Sequence, residues 1–246
     1  KELENTQVQL LQAEKMASLG KLAAGVAQQI NNPLGGITLF AKLILEEYDL
    51  EEGVKNDIER ILKDADRCRN IVKELLEFTR QTRHLMQPND LNRALNRTLF
   101  LLESQALFQN IVVKKDFAEN LPPANSDAQQ MYHLFMNLIL NAVQAMDGKG
   151  KLTLKTRSIL DKNRVQIEIS DTGPGIPEEA LPHLFEPFFT TKEEGKGTGL
   201  GLSLAYNIVE NHGGSISAEN NPDHGANFII KLPIAHKQKQ GEKRGE

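Results

Sequence analysis

The sequence predicts two domains: an all-α helical hairpin that pairs into a dimeric four-helix bundle, then an α+β sandwich. Three observations carry this. Apolar residues recur every seven positions between residues 16 and 79, the spacing of helices packed in a bundle or coiled coil. Past Pro88 that spacing stops, and short runs alternate apolar and polar residues at period two, the mark of strands with one buried face. Helix-like and strand-like runs are segregated there, which favours an α+β layer over a doubly wound fold.

Each element follows in order. Met16, Ala23, Ile30, Ile37 and Ile44 form one seven-residue series, and Leu19, Val26, Pro33 and Phe40 the other. Together they predict one long helix with an N-terminal coiled coil, which Pro33 kinks without ending. A polar break at Tyr48–Gly53 precedes a second seam of Ile58, Ala65, Val72 and Thr79 with Ile61, Cys68 and Leu75. So short a break makes the helices antiparallel, and Cys68 reads as a small buried apolar residue on the seam. A lone hairpin leaves an apolar face uncovered, which a homodimeric bundle would cover. The hairpin domain is taken as residues 1–87, the second domain as 88–235, and the polar stretch 236–246 as a disordered tail.

In the second domain residues 92–108 read as helix, and Ile111–Phe117 as a strand ahead of a Leu121-Pro122-Pro123 loop. Residues 127–146 form a long apolar helix ending at Asp147-Gly148. Leu152–Arg157 and Arg164–Ser170 read as a hairpin turning at 161–163. Residues 171–198 are rich in Gly, Pro and Thr, 199–212 return to helix, and Ser215–Glu219 and Asn227–Leu232 are strands.

Composition narrows function by exclusion. Net charge is −4, with 25 % charged and 39 % hydrophobic residues, as in ordinary soluble domains. Neither part is basic, so no nucleic-acid or anionic-membrane surface is indicated. The single cysteine rules out an intrachain disulfide and fits a reducing, cytoplasmic compartment. No apolar run approaches the roughly 20 residues that span a bilayer. The opening Lys-Glu-Leu-Glu-Asn is no signal peptide, and it begins mid-pattern, as a fragment of a longer, membrane-bound sensor would.

Four motifs converge on a nucleotide. Asn137 and Asn141, four apart on the long helix, share a face and offer carboxamides to a cation or a phosphate. Asp171-Thr-Gly-Pro-Gly175 follows a strand, placing a carboxylate where it can accept from an adenine amino group. Leu184-Phe-Glu-Pro-Phe-Phe-Thr-Thr-Lys192 has three phenylalanines to anchor a loop and a lysine to reach a phosphate. Gly195-Lys-Gly-Thr-Gly-Leu-Gly201 precedes a helix, an arrangement suited to anions, yet fits neither a P-loop nor a Rossmann turn.

In this order, over roughly residues 10–234, the motifs make the chain resemble the cytoplasmic core of sensor histidine kinases of the nitrogen-regulation-like type. Asn137 and Asn141 match that family's N box, Asp171–Gly175 its G1 box, Phe185–Phe189 its F box and Gly197–Gly201 its G2 box. The resemblance implies a Bergerat-type domain binding ATP and Mg²⁺, with Asn141 on the metal, Asp171 on adenine and residues 176–198 as a lid. Asn137, Gly173, Gly175, Ile176, Thr191, Lys192, Gly197, Thr198, Gly199, Leu200 and Gly201 complete the implied nucleotide set. Gln144 stands where some relatives carry a basic residue. The implied partners are a second copy of the chain and a response-regulator receiver domain.

The resemblance also predicts His-Glu-Ile-Asn-Asn-Pro-Leu on the first helix, where this chain has Gln28-Gln29-Ile30-Asn31-Asn32-Pro33-Leu34. The acceptor position is Gln28 and the base position Gln29. A carboxamide nitrogen, its lone pair delocalised, is no useful nucleophile, and glutamine has no titratable group with which to act as a base. The chain should bind ATP without phosphorylating itself at position 28. None of the six histidines, His84, His133, His183, His212, His224 and His236, lies in an acceptor-like motif. His133 shares a helix face with Asn137, which makes a metal role conceivable beside a structural one. Asn32 matches the family position that orients water for dephosphorylating the regulator. Competing readings are a non-phosphorylating ATP-binding scaffold or regulator phosphatase, a gyrase- or chaperone-type ATPase (which would carry a glutamate near Asn137), and a serine-directed kinase.

Overall fold

The structure, a computed structural model, describes residues 27–79, 85–192 and 197–235. It divides into two compact units, Lys1–Thr82 and Arg83–Glu246. The N-terminal coiled coil, the polar tail, His84, His236, Gly195 and Lys196 lie outside the described residues.

In the first unit α1 covers residues 27–47 and continues through Pro33, and α2 covers Glu52–Thr79. The stripe α1 buries is Ala27, Leu34 and Ala41, and that of α2 is Ile58, Ala65 and Val72. Arg69 Nη2 donates to Thr38 Oγ1 at 3.2 Å, tying the two helices side to side. The single hairpin leaves the isoleucines of the expected α1 seam uncovered: Ile30, Ile37 and Ile44 are 39 %, 46 % and 39 % exposed. Each helix carries two apolar series, and the hairpin consumes one of them. Cys68 is exposed as well, correcting the buried reading. It lies three residues beyond Ala65, off the stripe facing α1.

In the second unit the elements are β1 (Gln87–Asn89), α3 (Leu91–Glu103), β2 (Asn110–Asp116), β3 (Ala124–Ser126), α4 (Ala128–Ala145), β4 (Lys149–Ile159), β5 (Arg164–Ser170), α5 (Gly201–Asn211), β6 (Ser215–Asn220) and β7 (Ala226–Pro233). A five-stranded sheet runs β2-β4-β5-β7-β6, antiparallel except for the parallel β2–β4 pair. Strand and helix are therefore less segregated than the sequence suggests, because β3 and α4 form the crossover between β2 and β4. The predicted helix over 92–108 ends at Glu103, and a separate 3₁₀ turn covers Ala106–Phe108. A small sheet of β1 with β3 was not foreseen.

Alternation fixes which sheet face is covered. Leu152 and Leu154, Val165, Ile167 and Ile169, and Phe228, Ile230 and Leu232 are buried, while Lys155, Gln166, Glu168 and Lys231 between them are partly exposed. Leu134, Phe135, Leu138 and Ile139 of α4 complete the core with Leu95 and Leu99 of α3 and Ile208 and Val209 of α5. Each such side chain contributes about 1.5–3 kcal/mol when fully buried. Asp127 caps α4, its Oδ1 accepting from the Gln129 and Gln130 amides at 2.9 and 3.1 Å. Packing α4 beside α5 under β5 brings three chain ends together: the C-terminal half of α4, the end of β5 and the start of α5.

Candidate functional site

Asn137 and Asn141 are half-buried on α4, and both face the start of α5. A Cβ placed on Gly201 would stand 3.8 Å from Asn141 Nδ2 and 3.9 Å from Asn137 Oδ1. Both distances are ordinary van der Waals contacts, so the carboxamides lie directly against this turn. Leu200 and Thr198 hold this turn, the Leu200 amide donating to Thr198 Oγ1 at 3.3 Å.

Asp171 follows β5 directly and is 2 % exposed. Its Oδ1 accepts from the Gly173 amide at 2.8 Å and the Ala226 amide at 3.2 Å. Burial pushes the carboxyl pKa above its ordinary value, and those two amides offset only part of the rise. The neighbouring turn is built for close approach: at Gly225, φ +95°, a Cβ would fall 2.0 Å from the Asp171 carbonyl oxygen. Ile176 is clamped at both backbone groups by Asn220, its amide donating to Oδ1 and its carbonyl accepting from Nδ2, each at 2.7 Å.

The phenylalanine-rich loop is pinned to the glycine-rich one. The Phe188 amide donates to the Gly199 carbonyl at 3.0 Å, and both residues have φ of +68°. A Cβ on Gly199 would lie 2.3 Å from the Phe188 carbonyl carbon, so no other residue fits there without backbone movement. Phe185 packs on Tyr206 of α5, ring centroids 5.6 Å apart. Lys192 reaches back to α4, donating to Gln144 Oε1 at 2.6 Å and to Asn141 Oδ1 at 3.4 Å. Thr191 beside it is exposed.

The structure thus brings Asn137, Asn141, Lys192 and the 197–201 turn to one end of α4. Asp171, Gly173, Gly175 and Ile176 are grouped by the β5 end. Gln28, Gln29 and Asn32 are exposed on α1, in the other unit. Asn220, Asn221 and Gly225 went unremarked in the sequence. The signal for them was the turn-rich Asn220-Asn-Pro-Asp-His-Gly225 between two strands. Among the described residues no group of three His, Cys, Asp or Glu side chains could hold a metal ion. His212 is structural, buried at the end of α5, with Nδ1 donating to the Ile208 carbonyl at 2.6 Å and Nε2 accepting from the Asp127 amide at 3.0 Å. No described helix is long and apolar enough to cross a membrane.

Comparison with known proteins matches these parts. Residues 18–83 match the His Kinase A (phospho-acceptor) domain. Residues 126–236 match the histidine kinase-, DNA gyrase B- and HSP90-like ATPase family. The sensor histidine kinase ZraS of Escherichia coli (strain K12) is 36 % identical over 237 residues, 96 % of this chain and 50 % of ZraS. The chain therefore spans about half the length of that curated relative. The solved histidine kinase ThkA, in complex with response regulator protein TrrA, is 30 % identical at a TM-score of 0.68, covering 96 % of this chain and 67 % of that one. Full-length ShkA in complex with AMPPNP shares the fold at a TM-score of 0.74 and 24 % identity, over 87 % of this chain and 46 % of that one. With both domain families in sequence order, the chain belongs to the histidine kinase family, its phospho-acceptor hairpin followed by an ATP-binding domain.

Proposed function

We propose that this chain is the cytoplasmic core of a two-component sensor histidine kinase of the nitrogen-regulation-like type, competent to bind Mg-ATP but unable to phosphorylate itself at position 28. The observation supporting it most is the convergence of Asn137, Asn141, Lys192 and the Gly197–Gly201 turn, with Asp171 buried at the end of β5, set against an exposed carboxamide where the acceptor belongs.

Asp171 accepts from the adenine amino group, and Gly173 and Gly175 let the loop backbone close on the ring. Lys192 and the amides of the 197–201 turn meet the phosphates. The donor set suits a divalent cation: the Asn141 and Gln144 oxygens already face one positive charge, the Lys192 ammonium. Asn141 would hold Mg²⁺, which when bound offsets charge on the phosphates. In an intact relative the γ-phosphoryl group passes in line to a histidine and then to a regulator aspartate. Here Gln28 supplies no nucleophile and Gln29 no base. The uncovered α1 and α2 series (Ile30, Ile37, Ile44 and Ile61) are the surface on which a second copy completes a four-helix bundle, with the helical hairpin as the dimerisation domain. In a mixed dimer, ATP bound by this chain would serve an intact histidine on the partner.

Calorimetric titration tests the reading. The chain should bind ATP saturably with Mg²⁺ present, and Asn141→Ala should weaken binding about tenfold by removing the metal ligand. Absence of saturable binding by the unaltered chain would sink it.

A second reading, regulator phosphatase, is favoured by Asn32. It is exposed on α1 one turn after Gln28, and orienting a water needs only a carboxamide. The chain should accelerate dephosphorylation of a phosphorylated receiver domain, and Asn32→Ala should remove most of that acceleration. A rate no faster than the receiver domain's own would end this reading.

A further inference from the structure

We propose that Asn220 is a positioning residue for the adenine end of the site, holding the Gly173–Ile176 segment in shape before a nucleotide arrives. The inference deepens the nucleotide reading above and rests on it.

The segment has little of its own to fix it. Pro174 and Pro177 have no N–H, so between them only Gly175 and Ile176 can donate from the backbone. Among the described residues, the hydrogen bonds that reach 174–176 are the two that Ile176 makes with Asn220: its amide donates to Oδ1 and its carbonyl accepts from Nδ2, each at 2.7 Å. Gly175, at φ +82°, makes this approach possible, because a Cβ there would stand 2.9 Å from Asn220 Oδ1.

Asn220 is exposed and ends β6, an edge strand of the five-stranded sheet. Its side chain therefore adds nothing to the core, and both of its polar groups are spent on the loop. Its cross-strand partner is Ala226. The Ala226 amide donates to Asp171 Oδ1 and the Ala226 carbonyl accepts from the Asp171 amide at 2.9 Å. One rung of the sheet thus holds the Asp171 carboxylate through its backbone and Ile176 through a side chain. Both described bonds to the carboxylate fall on Oδ1. Among the described residues Oδ2 has no partner, so this buried group keeps an oxygen for a donor brought by a ligand. With the loop tied to the same rung as the carboxylate, the spacing between them is set in advance, and less backbone freedom is lost on binding.

The test combines three measurements on the full chain and on Asn220→Ala: affinity for ATP and for ADP, each with Mg²⁺; hydrogen exchange at the Ile176 amide; and a thermal melt. The variant should bind both nucleotides about tenfold more weakly, as expected if about one more backbone residue must be ordered on binding. Their ratio should stay within about twofold, because both carry adenine. Without nucleotide, the Ile176 amide should exchange about tenfold faster than in the parent. Saturating ADP should restore its protection in the variant and add little in the parent, where Asn220 has already done the ordering. The melting midpoint should stay within about 2 °C. A purely structural role would instead lower the midpoint and leave the affinity of the folded chain unchanged. Affinities within about twofold of the parent's overturn the proposal, and so does unchanged exchange at Ile176. If the unaltered chain bound neither nucleotide, the nucleotide reading would fall and take this proposal with it. Normal binding that is insensitive to Asn220→Ala would remove only the role of Asn220.

Discussion

Incubated with γ-labelled ATP, the unaltered chain should take up no label, and the double variant Gln28→His, Gln29→Glu should become labelled. The variant restores an imidazole nitrogen with a basic lone pair and a carboxylate beside it to take up its proton. A positioned base alone contributes about 10²–10⁴-fold, and the nucleophile decides whether the transfer happens at all. The cost to the fold is small. Both positions are exposed on α1, outside the Ala27, Leu34 and Ala41 stripe. Histidine trails glutamine in helix propensity by a few tenths of a kcal/mol at most, and glutamate hardly at all. A melting midpoint within about 2 °C of the parent's would confirm that only chemistry had changed. Label on the unaltered chain would show that another residue accepts phosphate. No label on the variant, with ATP still bound, would place the defect in the catalytic arrangement rather than in the acceptor.

What the sequence showed and what it hid differ for a physical reason. Asn137 with Asn141, and Asp171 with Gly173 and Gly175, are each local patterns whose spacing alone sets their geometry. Period-two alternation likewise predicted β5, because burial of Val165, Ile167 and Ile169 is decided strand by strand. Contacts across long stretches of sequence leave no such trace. The Asn220 clamp on Ile176 spans 44 residues and the Lys192 bond to Gln144 spans 48. The β1–β3 pair joins three-residue strands of no distinctive pattern, one of them containing Pro88. The α1 helix carries two apolar series, and the sequence does not say which one the hairpin itself takes. Ala27, Leu34 and Ala41 run in parallel with Ile30, Ile37 and Ile44. Hydrophobicity favours the isoleucines, whereas the other helix of the hairpin takes the stripe of Ala27, Leu34 and Ala41.

Asp171→Asn should abolish most nucleotide affinity while leaving the ligand-free domain as stable as before or more so. At neutral pH the carboxylate is charged and buried. Because burial raises its pKa in the folded state above 3.8, the folded chain binds its proton more tightly than the unfolded chain does. Between 3.8 and the raised value, stability from this group therefore falls as pH rises, and the loss is complete above that window. Asparagine has no charge to desolvate, and its Oδ1 can keep the Gly173 and Ala226 amides as donors. Its NH₂ then faces the place where an adenine amino group must donate, so donor meets donor. Flipping the amide only moves the conflict, since the NH₂ would confront two backbone N–H groups at about 1–3 kcal/mol. Loss of the charge-assisted bond on top of this gives roughly a 30- to 1000-fold weaker Kd. ATP and ADP should suffer alike, because both carry adenine. Acidification should imitate the substitution in the unaltered chain, with affinity declining as pH approaches the raised pKa from above. Titration of both nucleotides beside a thermal melt checks each part. An affinity within about threefold of the parent's would remove Asp171 from the adenine site. A melting midpoint lowered by more than about 5 °C would mean that the charge stabilises the fold, contrary to the direction of its pKa.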